Sequence, residues 1–249
     1  MVAAVLAGCT GEGPTLGSLS SGGAETTTAA LQQPGATPDA PAAYNPFSEQ
    51  PASSVGRREV MENPSIADVM QAGELPEMAL GRKDAPVTIV QYASMTCPYC
   101  RQFQIETFPV LKKEYIDTGK VRLVFRDFLN TNHPEAGIAA MAAECADDQG
   151  KYWEYHDKLF QEQDRRGHDV VRFRANDLKR WATEIGVEPK QFNQCFDSAK
   201  YKNETEKDFS DALGVGLNGT PVFFINGRAL FCAYPFADFK RVIDEEFAK

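Results

Sequence analysis

The pattern of apolar and polar positions divides the chain near residue 76. Downstream, Val87-Thr88-Ile89-Val90-Gln91-Tyr92 is a β-branched run after Pro86 and predicts a buried strand. From Pro98 to Tyr115, Phe103, Ile105, Phe108, Leu111 and Tyr115 follow helical spacing, with a bend expected at Pro109. Gly119 closes that helix, and Val121 to Phe125 predicts a second strand, parallel to the first through a βαβ crossover. Helices are then predicted over Pro134–Asp148, Tyr152–Gln163, Asp177–Ile185, Pro189–Ser198 and about Ala199–Leu213. Pro221 to Ile225 predicts a strand, Asn226-Gly227 a hairpin turn, Arg228 to Phe231 the returning strand, and Ala237 to Phe247 a closing helix. The order is βαβ, a helical block, then ββα.

Upstream the pattern vanishes. Residues 1–56 contain no Lys or Arg and are crowded with Gly, Ala, Ser, Thr and Pro, a composition that cannot bury enough apolar surface to offset its ordering entropy. The expected organisation is a signal remnant over 1–9, a disordered tether over 10–75 and a folded domain over 76–249, with its helical insertion at about 133–213. Leu6-Ala7-Gly8-Cys9 resembles a bacterial lipobox, which makes Cys9 the candidate lipidation site, although the basic stretch usual ahead of such a site is missing. The net charge of −9, with no basic stripe, argues against a nucleic-acid groove. No apolar run is long enough for a transmembrane helix.

The candidate chemistry is Cys97-Pro98-Tyr99-Cys100, placed where the first strand ends and a helix begins. A thiolate there faces unsatisfied backbone N–H groups and the positive end of the helix dipole, so Cys97 is expected to be the nucleophile. Pro98 suits a first helical turn, and Cys100 lies one turn further in, able to resolve or close a disulfide. A haem site would need His after the second Cys, where Arg101 stands, and a zinc site would need a second close Cys pair. No metal and no other cofactor is therefore expected. The second signal is Gly219-Thr220-Pro221-Val222-Phe223-Phe224: a proline opening a buried strand is accommodated by a cis bond, which leaves the Thr220 backbone as a pairing edge.

Taken together, the Cys-Pro-Tyr-Cys motif after a strand and the Thr-Pro-Val-Phe-Phe-Ile-Asn-Gly motif downstream resemble the DsbA family of bacterial thiol–disulfide oxidoreductases, over about Gly81 to Lys249. The resemblance implies an α/β thioredoxin fold with a helical domain inserted between the second strand and the cis-proline strand. It implies Cys97 and Cys100 as the redox pair, with Thr220, Pro221, Pro98 and Tyr99 contacting the substrate chain. It favours a structural disulfide between Cys145 and Cys195 and leaves Cys232 as the odd thiol, expected to be buried. The implied partners are unfolded or reduced exported proteins and a membrane redox partner for recycling, with a monomer working in the periplasm or on the extracytoplasmic face. Disulfide formation is the expected activity. Pro-Tyr between the cysteines and Thr before the proline also resemble the reductase and isomerase branch, and a lipoprotein delivering metal or haem is a third reading. One departure stands out: relatives carry a buried acidic residue six positions before the first Cys, and here that position is Gln91.

Overall fold

The computed structural model describes residues 77–129, 133–165 and 173–249. The expected signal remnant, tether and lipidation site at Cys9 lie outside the described residues.

Five strands form one sheet in the order β1-β3-β2-β4-β5. They are β1 (Met78–Leu80), β2 (Val87–Ala93), β3 (Val121–Asp127), β4 (Val222–Ile225) and β5 (Arg228–Phe231). Strands β2 and β3 are parallel, with Gln91 opposite Phe125 and Ala93 opposite Asp127. The other pairings are antiparallel. Strand β1 was not evident from the sequence, because three residues at a sheet edge are too few to display alternation.

The first helix, α1, runs through four consecutive segments: Pro98–Gln102, Phe103–Thr107, Phe108–Leu111 and Lys112–Ile116. The second and fourth are π turns, and they flank Pro109. A proline ring displaces one helical hydrogen bond, and the wider turns absorb that loss without ending the helix. The block between β3 and β4 holds α2 (Ala136–Asp147), α3 (Tyr152–Arg165), α4 (Ala175–Glu184), α5 (Pro189–Asp197) and α6 (Lys202–Gly214), and α7 (Phe236–Phe247) closes the chain.

Two faces of the sheet are covered. On one, Ile89, Leu123 and Phe223 pack with Phe103 of α1 and Phe239 of α7. Further along the same face, Ala93 and Phe125 meet Cys97, Cys100 and the insertion residues Tyr152, Tyr155, Phe160 and Trp181. On the other, Val90, Tyr92, Val124 and Val222 pack against Ala212 of α6. The active-site end of the sheet thus lies directly against the insertion.

Helices α2 and α5 are joined by a Cys145–Cys195 disulfide spanning 50 residues. Loop closure of this length contributes about 4 kcal/mol in the chain-entropy model. Its selective reduction is expected to lower the midpoint of urea unfolding while leaving the Cys97–Cys100 chemistry intact. An unchanged midpoint would show that the insertion is held by its apolar core alone.

One sequence expectation needs correction. Cys232 is half-buried and is not a free thiol; it sits at the end of β5 with a positive φ of 74°. Arg126 and Asp127, adjacent at the end of β3, point to opposite faces because successive strand residues alternate. Arg126 donates to the Tyr92 hydroxyl at 3.0 Å, while Asp127 enters the core beneath the insertion.

Candidate active site

Cys97 occupies the N-cap of α1 with extended backbone (φ −83°, ψ 126°), and Pro98 follows inside the first turn. The Cys97 N–H donates to the Ser94 carbonyl at 3.0 Å, which fixes the bend between strand and helix. Ser94 and Thr96 hydroxyls lie 2.9 Å apart, and His133 Nδ1 lies 3.2 Å from Thr96 Oγ1. The peptide bond between Thr220 and Pro221 is cis, and the Cys97 thiol lies 3.4 Å from the Thr220 carbonyl oxygen. The structure therefore brings Cys97, Cys100, Pro98, Thr220 and Pro221 to one end of the sheet. Tyr99 is at the same place and is 46% exposed.

The two cysteines differ in their electrostatics. A hydrogen bond from the Cys100 thiol is the largest influence holding the Cys97 thiol down, to about 6. Burial opposes it, and the Thr220 side chain and the backbone N–H groups of Cys100 and Tyr99 add to the lowering. Cys100, with no exposed surface, is pushed the other way by burial and by the neighbouring Cys97 sulfur. At neutral pH about nine-tenths of Cys97 is thiolate on this value. The pair is thus a charged nucleophile hydrogen-bonded by a neutral resolving thiol.

Residues 74–245 match the family described as Thioredoxin. A protein of Bacillus anthracis named "Probable disulfide bond formation protein D" is 33% identical over 177 residues, covering 70% of this chain and 79% of that protein. Disulfide bond formation protein D of Bacillus subtilis is 29% identical, covering 67% of this chain and 75% of that protein. The crystal structure of alpha-DsbA1 from Wolbachia pipientis superposes with a TM-score of 0.62 at 28% identity, covering 71% of this chain and 94% of that one. The chain belongs to the thioredoxin family. It is a DsbA-like thiol–disulfide oxidoreductase, and its fold is the thioredoxin fold with an inserted helical block.

Below the cysteines the core holds several buried polar groups. Gln91 is fully buried on β2, and its amide nitrogen has no hydrogen-bond partner. Carboxyls lie elsewhere in the core. Burial, and secondarily the charge of Asp208, pushes Asp127 up to about 8. Burial, reinforced by Asp127 and other acids, pushes Glu144 up to about 9. His156 is buried on α3. None of these three burials was evident from the sequence, although a signal existed for two. Val121, Leu123, Phe125 and Asp127 share one strand face, and Tyr152, Tyr155, His156, Leu159, Phe160 and Gln163 form one helical stripe.

Proposed function

We propose that the chain is an exported oxidoreductase that forms disulfides in extracytoplasmic proteins, using Cys97 and Cys100 as its redox pair. A substrate thiolate attacks Cys97 of the Cys97–Cys100 disulfide, and the substrate's second thiol then releases the mixed disulfide as a substrate disulfide. The observation that carries the reading is the lowered Cys97 thiol, because a stabilised thiolate favours the reduced enzyme and so favours passing the disulfide on. The Cys145–Cys195 bridge supports export, since stable structural disulfides belong to oxidising compartments.

Thr220 and Pro221 offer the backbone edge for an extended substrate segment. Phe231, 56% exposed and opposite Val222 in the β4–β5 ladder, and Tyr99 supply apolar surface beside it. These features suit unfolded chains rather than one folded partner. Cys9 and the stretch before residue 76 are read as a lipid anchor and tether. A membrane oxidant would then regenerate the disulfide. Among the described residues no helix is long and apolar enough to cross a membrane.

A reductase or isomerase is the second reading, and magnitude favours keeping it. With Cys97 at about 6, thiolate stabilisation at pH 7 is about 1.4 kcal/mol, or about 30 mV. That is a small part of the roughly 150 mV separating thioredoxin from DsbA. The deciding measurement is the equilibrium reduction potential of Cys97–Cys100 in a glutathione buffer. A potential well above thioredoxin's, roughly −270 mV, and approaching DsbA's, roughly −120 mV, is expected of a disulfide donor. A potential at or below thioredoxin's would make the chain a reductase.

A further inference from the structure

The turn that delivers Cys97 to its helix is held from the side by a residue at the threshold of the insertion. Ser94, Met95, Thr96 and Cys97 form a β-turn, closed by the Cys97 N–H on the Ser94 carbonyl at 3.0 Å. All four residues are buried. Inside the turn the Thr96 N–H donates to Ser94 Oγ at 3.3 Å, and Ser94 Oγ lies 2.9 Å from Thr96 Oγ1. Thr96 Oγ1 in turn lies 3.2 Å from His133 Nδ1. His133 is half-buried and stands just ahead of α2, where its carbonyl accepts from the Ala136 N–H at 2.9 Å. The start of that connection is fixed as well, since the Phe128 N–H donates to the Ala93 carbonyl at 2.8 Å.

These contacts have one direction in which every hydrogen finds an acceptor. Ser94 Oγ accepts from a backbone N–H, so its own hydrogen goes to Thr96 Oγ1, and the Thr96 hydroxyl donates to a bare Nδ1. The imidazole then carries its proton on Nε2. Thr96 has no exposed surface, so without His133 one hydroxyl hydrogen of the turn would be buried with no acceptor. Swinging the Thr96 hydroxyl back onto Ser94 only moves the loss to Ser94. The relief open to the chain is to shift the turn, and the turn sets how the Cys97 sulfur meets the backbone N–H groups of Tyr99 and Cys100. The same turn bears on the resolving thiol, because the Ser94 backbone also acts on Cys100.

We propose that His133 is a positioning residue for the nucleophile: through the Thr96 and Ser94 hydroxyls it holds the Ser94–Cys97 turn, so that the Cys97 sulfur stays against the first N–H groups of α1. The inference rests on the Cys97–Cys100 exchange reading and gives the connection into the insertion a part in it. Strand β2 and helix α1 supply the turn, and the chain entering α2 supplies the acceptor that completes it. The effect of His133 passes through Thr96, which separates it from a side chain that merely fills space.

The test is ultraviolet titration of the Cys97 thiolate, together with the equilibrium constant of the pair against glutathione at pH 7. Both are measured on the full chain, wild type against His133→Phe, His133→Asn, Thr96→Val and the combined His133→Phe/Thr96→Val variant. His133→Phe is expected to raise the titration midpoint on the order of one pH unit, the loss of about one hydrogen bond to a charged sulfur. The equilibrium with glutathione should then move about fivefold toward the Cys97–Cys100 disulfide, because less of the reduced form is held as thiolate. Thr96→Val keeps the shape and loses the hydroxyl; it should shift the midpoint by a similar amount, and the combined variant should add nothing further. Asparagine sets a polar group near where Nδ1 stood, so His133→Asn should return the midpoint most of the way to the wild type. An unchanged midpoint in either His133→Phe or Thr96→Val overturns the proposal. So do additive shifts in the combined variant, which mark two separate packing losses, and equal shifts in the two His133 variants. Should Thr96→Val fail to fold, the contrast between His133→Phe and His133→Asn decides alone. A wild-type chain that forms no mixed disulfide with a disulfide-bearing peptide overturns the exchange reading itself, while the thiolate titrations still decide the role of His133.

Discussion

Replacing Cys100 by serine is expected to give a chain that captures its substrate and does not let it go. The argument runs from the asymmetry of the pair. Cys97 is the thiolate and Cys100 the neutral donor to it, so the hydroxyl of Cys100→Ser can still hydrogen-bond the Cys97 sulfur. Nucleophilicity toward a substrate disulfide should survive. Resolution should not, because the sulfur that resolves the mixed disulfide has been removed. Turnover is expected to fall to the uncatalysed level, with a covalent enzyme–substrate species visible on non-reducing gels and lost on adding reductant. Cys97→Ser, by contrast, should neither turn over nor trap. Cys100→Ala separates the two roles of the residue. It removes the largest influence holding the Cys97 thiol at about 6, so its thiolate absorbance should titrate at higher pH than in Cys100→Ser. Equal titrations in the serine and alanine variants would mean that the helix N-terminus and Thr220 alone set the nucleophile.

Much of this site could be read from the chain because local rules and tertiary packing agree there. A β-branched run, a proline in the first helical turn and a cysteine at the N-cap each favour the observed conformation without help from the rest of the fold. The helical insertion was legible for the same reason: its apolar stripes fall at helical spacing, and the observed ends differ from the expected ones by only a few residues. What escaped has a physical cause in each case. Strand β1 is held by pairing with β3 and has no pattern of its own. The π turns of α1 are a response to Pro109 in a helix that packing keeps continuous, whereas local sequence alone favours a bend. The buried polar residues escaped because Asp, Glu and His are ordinarily surface residues. Only their place in an apolar stripe betrays Asp127 and His156, and Glu144 sits in a helix buried almost all round.

That burial makes Asp127→Asn the substitution with the largest expected effect on stability. Burial and the charge of Asp208 hold Asp127 at about 8, against about 4 in an unfolded chain. Between those two values the native state keeps a proton that the unfolded state has released, so unfolding is increasingly favoured as pH rises from about 4 to about 8. The penalty is absent below that window and full above it. Asparagine has the shape of the protonated acid and cannot ionise. The variant should therefore match the wild type at the acid end and gain a few kcal/mol at the alkaline end, about 10 °C in melting temperature for a domain of this size. Thermal melts of both proteins across the window would measure it, and a gap that stays constant with pH would mean that Asp127 does not titrate there. Glu144, held at about 9 in part by Asp127 itself, should relax toward lower values once that neighbour is neutral, adding to the alkaline gain. A chain that keeps two such carboxyls in the core beneath its redox pair gives up alkaline stability to do so.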